Sequence, residues 1–205
     1  MKKKGVLLVL ALVLVVSTAV GTTLAWLTAS SGDVTNIFTI GDITIELKEH
    51  KLQTDGSLGT DEVTENSYKI VPGATQSKDP FVRVKAKSEK CYVYVKVTNN
   101  LRIDGAIVAA PAMESSWTLV ETRDNTSLYR YNTVVDATSA DVKTDALFKT
   151  VTYDGGKITA TNISSLENKT IVLTAYAHQS ENTDQTTADT AAKAWAFPTA
   201  INPET

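Results

Sequence analysis

The sequence predicts an all-β domain: a jelly-roll-like β-sandwich with a short C-terminal helix, preceded by an N-terminal signal peptide. Three observations carry that prediction. Apolar and polar residues alternate with a period of two in several short segments, the mark of a strand with one buried face. Pro72-Gly73, Asp124-Asn125 and Asp154-Gly155-Gly156 punctuate those segments as turns. Threonine is abundant, with 27 copies after position 25, and its branched β-carbon suits a pleated, half-exposed surface.

The N-terminal segment has the order basic, apolar, small. Lys2, Lys3 and Lys4 precede an unbroken apolar run of 11 residues, Val6 to Val16, and small and polar residues lead to Thr23-Leu24-Ala25. This is the order of a secretory signal peptide. Ala25 is the expected last residue removed, with Thr23 as the small residue two positions earlier, so the mature chain begins at Trp26. The uncharged stretch Gly5 to Leu27 is also long enough to span a bilayer as an uncleaved anchor. The short apolar part and small-residue flank favour cleavage. The expected organisation is a signal peptide at 1–25, an N-terminal segment at 26–35 and a sandwich domain at 36–205.

Ile43, Ile45 and Leu47 alternate with Thr44, Glu46 and Lys48 as a first strand, with Phe38 and Ile40 in the same ladder and a kink at Gly41. The polar stretch 49–66 reads as a long exposed loop, with His50 solvated in it. Phe81, Val82 and Val84 form the next strand. Cys91, Val93, Val95 and Val97 then take one face of the clearest strand, with Tyr92, Tyr94 and Lys96 on the other. The pair 81–86 and 91–98 is either a hairpin or two strands of neighbouring sheets. Trp117 to Val120 and Leu128 to Tyr131 flank the Asp124-Asn125 turn, and 136–145 reads as a loop. Leu147 to Tyr153 and Ile171 to Ala177 are the last strands. Ala188, Ala191, Ala192 and Trp195 recur at helical spacing within 187–197, and Pro198 stops the helix.

Composition narrows the function classes. The chain has 205 residues, 20 basic and 23 acidic, one cysteine and two histidines. Losing residues 1–25 takes three lysines, which moves the formal charge from −3 to −6. No basic stripe suggests nucleic acid. A single cysteine excludes an intrachain disulfide and any zinc site built on several cysteines.

Four stretches together resemble proteins exported through the SipW-type signal peptidase of Gram-positive bacteria. They are Gly21 to Leu27; Val34 to Ile43; Ile70-Val71-Pro72-Gly73 with Lys78-Asp79-Pro80 and Cys91 to Val97; and Thr174 to Gln179 leading to Ala194-Trp195. This family includes TasA-like biofilm fibre proteins and camelysin-like surface proteins. The resemblance implies secretion to the cell surface or extracellular matrix, a jelly-roll-like fold and, for TasA-like members, fibres. It implies the signal peptidase as a partner during export, then self-association or related matrix proteins, with the membrane met only through the uncleaved signal. The span Gly105 to Val151 carries no matching motif.

No catalytic set, metal site or cofactor is expected. His178 and Glu181 lack the His-Glu-x-x-His spacing that puts two imidazoles on one helix face. Asp55, Asp61, Glu62 and Glu65 are out of register with their glycines for a calcium loop. Cys91 shares its face with three valines and reads as a buried, inert thiol. Tyr92 and Tyr94 should pack beneath a second sheet or the C-terminal helix. The end Asn202-Pro203-Glu204-Thr205 gives no expectation of covalent cell-wall sorting.

The leading expectation is a structural subunit or accessory of a surface or matrix fibre. A segment starting at Trp26, with Leu27, Ala29 and Ser31 on one face, would be donated as a strand to the next subunit. A camelysin-like metallopeptidase and a monomeric surface-binding module are the alternatives. The secreted protein should begin at Trp26, as intact mass or N-terminal sequencing will show; a form retaining Lys2 to Lys4 would exclude cleavage.

Overall fold

The structure, a computed structural model, describes residues 41–198. Their alternating side chains build the strands β1 (Ile45–Leu52), β2 (Leu58–Val63), β3 (Thr75–Ser77), β4 (Phe81–Val84), β5 (Cys91–Asn99), β6 (Arg102–Ile103) and β7 (Ala106–Ile107). The remaining strands are β8 (Ala109–Met113), β9 (Trp117–Arg123), β10 (Thr126–Tyr131), β11 (Val142–Lys143), β12 (Phe148–Tyr153) and β13 (Ile171–Gln179). A single 3-10 turn, Ile163–Leu166, precedes β13, and the helix α1 (Gln185–Ala196) follows it. Among the described residues the fold is all-β with one short helix, and its strand pairings are antiparallel.

Three sheets surround the main core. Their strand orders are β11-β4-β1-β2, β13-β5-β10-β9 and β3-β12-β8, with β6 and β7 as a separate ribbon. β4 and β5 therefore belong to different sheets: the segments 81–86 and 91–98 do not form a hairpin. β9 and β10 do, turning at Asp124, whose φ of 51° is the left-handed conformation that Asp and Asn tolerate better than most residues. Gly73, at φ +77°, donates its N–H to the Tyr153 carbonyl at 3.0 Å. This brings the turn against Gly155, where an added Cβ would lie 3.0 Å from the Gly73 nitrogen. Gly155 has no room for a side chain without movement, and Gly73 is held to glycine by its positive φ.

β5 is the centre of the domain. Cys91, Val93, Val95 and Val97 are between 0% and 4% exposed and pack with Val82, Val84, Leu147 and Phe148. The opposite face of β5 is covered too. Tyr94 is fully buried beneath α1 in a second cluster with Leu128, Ala188, Ala192 and Ala196. The three alanines sit four residues apart, one helix face, and their small side chains let the helix lie close to the sheet. Asp184 caps the helix by accepting from the Thr187 N–H at 2.7 Å. Arg130 meets Asp189 at 2.5 Å, and the Tyr94 hydroxyl donates to the same carboxylate at 2.8 Å. This fixes the helix over the strand. Of the two covers expected for Tyr92 and Tyr94, the helix is the one found.

Several sequence expectations change here. The stretch 49–66 is not a loop: β1 runs on to Leu52 and pairs with β2 as a hairpin. The apolar alternation stops at Lys48 because the next inward-facing residue is Glu49, buried against Lys78. His50 is accordingly not in a loop; it sits half-buried in β1 with its Nδ1 2.6 Å from Asp79 Oδ2. The segment 136–145 contains β11, which hydrogen-bonds to β4. The strand expected from Ile43 starts at Ile45, and Phe38 and Ile40 lie outside the described residues. β8 carries Pro111, tolerated because β8 is an edge strand.

Replacing Val95 with Asp places an unpaired charge in the core, at a cost of several kcal/mol against a total stability of about 5–15 kcal/mol. Val95→Asp should abolish the cooperative thermal transition. Lys96→Asp forfeits only the position of the ammonium 4.8 Å over the Trp195 ring, about 0.5–1 kcal/mol, and should lower Tm by a few degrees. Equal losses from the two variants would contradict the burial of β5.

Candidate functional site

The residues singled out in the sequence do not converge. Ala25, Trp26, Leu27, Ala29 and Ser31 lie outside the described residues. Cys91, Val93, Val95 and Val97 are core, and burial pushes the Cys91 thiol up to about 11, away from the thiolate. His178 is near the end of β13, its Nδ1 2.9 Å from the Gln179 carbonyl. Asp55 accepts from the Ser57 N–H and hydroxyl in a local turn, whereas Glu62 forms a two-bond pair with Arg83, 2.7 Å for each. The hydrogen bonds from Arg83 hold the Glu62 carboxyl below its usual range. Among the described residues, no three of His, Cys, Asp and Glu are grouped to hold a metal ion, and no helix is long and apolar enough to cross a membrane.

The strongest surface feature is the outer edge of β13. This strand pairs with β5 along all of Ile171–Gln179 and, among the described residues, stands at the end of its sheet. It is nine residues long and contains no Asp, Glu, Lys, Arg or Pro. Edge strands normally carry devices that prevent pairing with another chain. The other edges have them: Glu121 and Arg123 on β9, Asp61 and Glu62 on β2, Pro111 on β8, and extreme shortness in β3 and β11. β13 has none among these, and its outward Val172 is 47% exposed.

The core is also less closed beside this edge. Ile171, Leu173, Ala175 and Ala177 point inward from β13 but are only half-buried, in contrast to their neighbours on β5. Ile43, Ile45 and Leu47, from the start of the first sheet, are half-buried likewise, and β1 runs close to β13. Two inward aliphatic rows from different sheets are thus incompletely covered on the same side. An extended segment laid along β13 would supply both backbone partners and apolar side chains.

A second feature lies near the N-terminal end of β13. A cavity of about 600 Å³ opens between the segment that connects β2 to β3, the strand β12 and the 3-10 turn. At its wall the Lys78 ammonium bonds to Glu49 and stands 4.8 Å over the Tyr68 ring. Burial, and then the Glu49 carboxylate, push the Tyr68 hydroxyl well above its ordinary value, so it stays neutral. Tyr153 donates to Gln76 at 2.8 Å. None of Glu49, Lys78 and Tyr68 was marked as a site by sequence reasoning. The available signal was a charged residue in phase with Ile45 and Leu47, which only a buried partner makes tolerable.

No family model, curated protein or solved structure matches the chain.

The side chains of Lys78 and Glu49 are 11% and 6% exposed. Removing one partner of a buried pair typically costs about 3–5 kcal/mol, because the other charge is left uncompensated. Glu49→Gln should therefore destabilise strongly in urea unfolding. The double substitution Glu49→Leu with Lys78→Met should recover most of that loss. A double variant no more stable than Glu49→Gln would show that the pair is not a mutually compensating unit.

Proposed function

We propose that this protein is an exported structural protein, a subunit or accessory of an extracellular matrix or surface fibre, built on a jelly-roll-like sandwich that assembles by strand addition. The carrying observation is the nine-residue edge of β13, without Asp, Glu, Lys, Arg or Pro, beside an incompletely covered core. Long apolar edges template pairing with another chain unless they are blocked. Among the described residues, the other edges of the three main sheets are short, charged or broken by proline.

The incoming strand in this reading is the segment from Trp26, with Leu27, Ala29 and Ser31 along one face. Cleavage after Ala25 frees it from the membrane-embedded signal. The contact is head-to-tail, so repetition gives a filament instead of a closed dimer. The resemblance of the N-terminal and Cys91 to Val97 stretches to SipW-exported proteins supports the same reading, as does an acidic, cysteine-poor composition.

Two changes test it. Deleting Trp26 to Ser31 should leave a folded monomer that forms no filaments in electron micrographs. Val172→Lys with Thr174→Lys, both exposed on β13, should reduce filament number and length without loss of Tm. Filaments of normal length from the deleted protein would exclude donation by this segment, and normal filaments from the double lysine variant would exclude β13 as the acceptor.

A further inference from the structure

The 600 Å³ cavity has a neighbour. A smaller polar cavity of about 380 Å³ is lined by Asn100, Arg102, Asn125 and the segment Asn168 to Thr170, and that segment also lines the larger one. The two cavities differ in chemistry. In the larger, Ile70, Ile163 and Ile171 are half-buried above the buried Leu101, Val151 and Leu166. In the smaller, the two charged residues are both cations, Arg102 and Lys169, set among asparagine amides. Neither cation has a carboxylate within ion-pair distance among the described residues. Arg102 uses its Nε and one terminal nitrogen to donate to the Gly105 carbonyl, which leaves further N–H groups of the guanidinium for an acceptor. The ammonium of the larger cavity, Lys78, is already neutralised by Glu49. Glu167 and Lys169 also line the larger cavity, so its charges balance, whereas Arg102 and Lys169 leave the smaller one net positive.

A chamber with an apolar floor and a polar rim, sharing the Asn168 to Thr170 wall with a basic, amide-lined one, is complementary to a molecule with an apolar body and an anionic head. We propose that the adjoining cavities together bind a single-chain anionic amphiphile. Its alkyl chain lies over Leu101, Leu166 and Ile171, and its carboxylate or equivalent acid group lies at Arg102 and Lys169. The larger volume falls within the range of small-molecule sites. Asn125 donates to Asn100 at 2.8 Å, and the Asn100 N–H donates to the Thr170 carbonyl at 3.0 Å. These bonds tie the head end to the start of β13 before any ligand arrives. This site is separate from the outward edge of β13 and does not depend on fibre formation.

Decanoate and decanol, used below their aggregation concentrations, test the proposal by calorimetry and by methyl NMR of the purified protein. Decanoate should bind one-to-one and shift the Leu101, Leu166 and Ile171 methyls. Octanoate should bind about tenfold more weakly than decanoate, given the loss of two buried CH₂ groups. Decanol should also bind about tenfold more weakly than decanoate. Arg102→Gln with Lys169→Gln should bring decanoate down to the affinity of decanol and leave decanol unchanged. Ile163→Trp, which fills the chamber, should abolish binding of both. Absence of saturable shifts at those methyls, equal affinity for acid and alcohol, or full decanoate affinity in the double glutamine variant would each overturn it. The two substituted cations lie at the surface of the smaller cavity, so this last arm stands even if Ile163→Trp fails to fold.

Discussion

The domain depends on one strand covered on both faces. β5 places Cys91, Val93, Val95 and Val97 in the main core, while Tyr94 closes a second core under α1. A strand buried on both sides cannot shift register by one residue without exchanging valines for tyrosines and a lysine. Its neighbours β10 and β13 are bonded to it on either side, so their registers are held by the same constraint. The helix depends on β5 in turn, because its polar anchor is the Tyr94 hydroxyl and the Arg130–Asp189 pair.

Charges inside the domain are placed with their partners. Glu49 meets Lys78, and Asp189 meets Arg130, each across elements distant in sequence. Such pairs contribute modestly to net stability but strongly penalise any arrangement that separates them. They help select this packing over others with similar apolar burial. The outer face of the first sheet uses a looser version, with Arg83 between Glu46 and Glu62 and Lys143 over the Phe81 ring.

The edges show where pairing is resisted and where it is not. Proline in β8, charges in β2 and β9 and brevity in β3 and β11 oppose further strands. β13 lacks such devices, and the aliphatic rows beside it are incompletely covered. The amphiphile cavity sits near the start of the same strand, where the chain passes from the 3-10 turn into β13. The edge and the cavity are close in sequence but expose different chemistry: one offers a backbone, the other side chains.

The strands most legible in the sequence were β5 and β13, because alternation is a local property, and β9 and β10, because they flank the Asp124-Asn125 turn. The helix was legible from alanines at helical spacing, and the Asp124 and Gly73 turns from residues that tolerate positive φ. β1 was cut short and β2 read as loop because both carry acids whose partners are remote: Lys78 for Glu49 and Arg83 for Glu62. β6, β7 and β8 are too short or too rich in alanine and proline to stand out. By itself, then, the sequence determined the all-β class, the inward face of β5 and the position of the helix. The tertiary structure decided the assignment of β4 and β5 to separate sheets, the burial of Glu49 and the adjoining cavities. Those features arise from contacts between residues tens of positions apart, and no local pattern encodes which distant partner makes a polar residue tolerable inside.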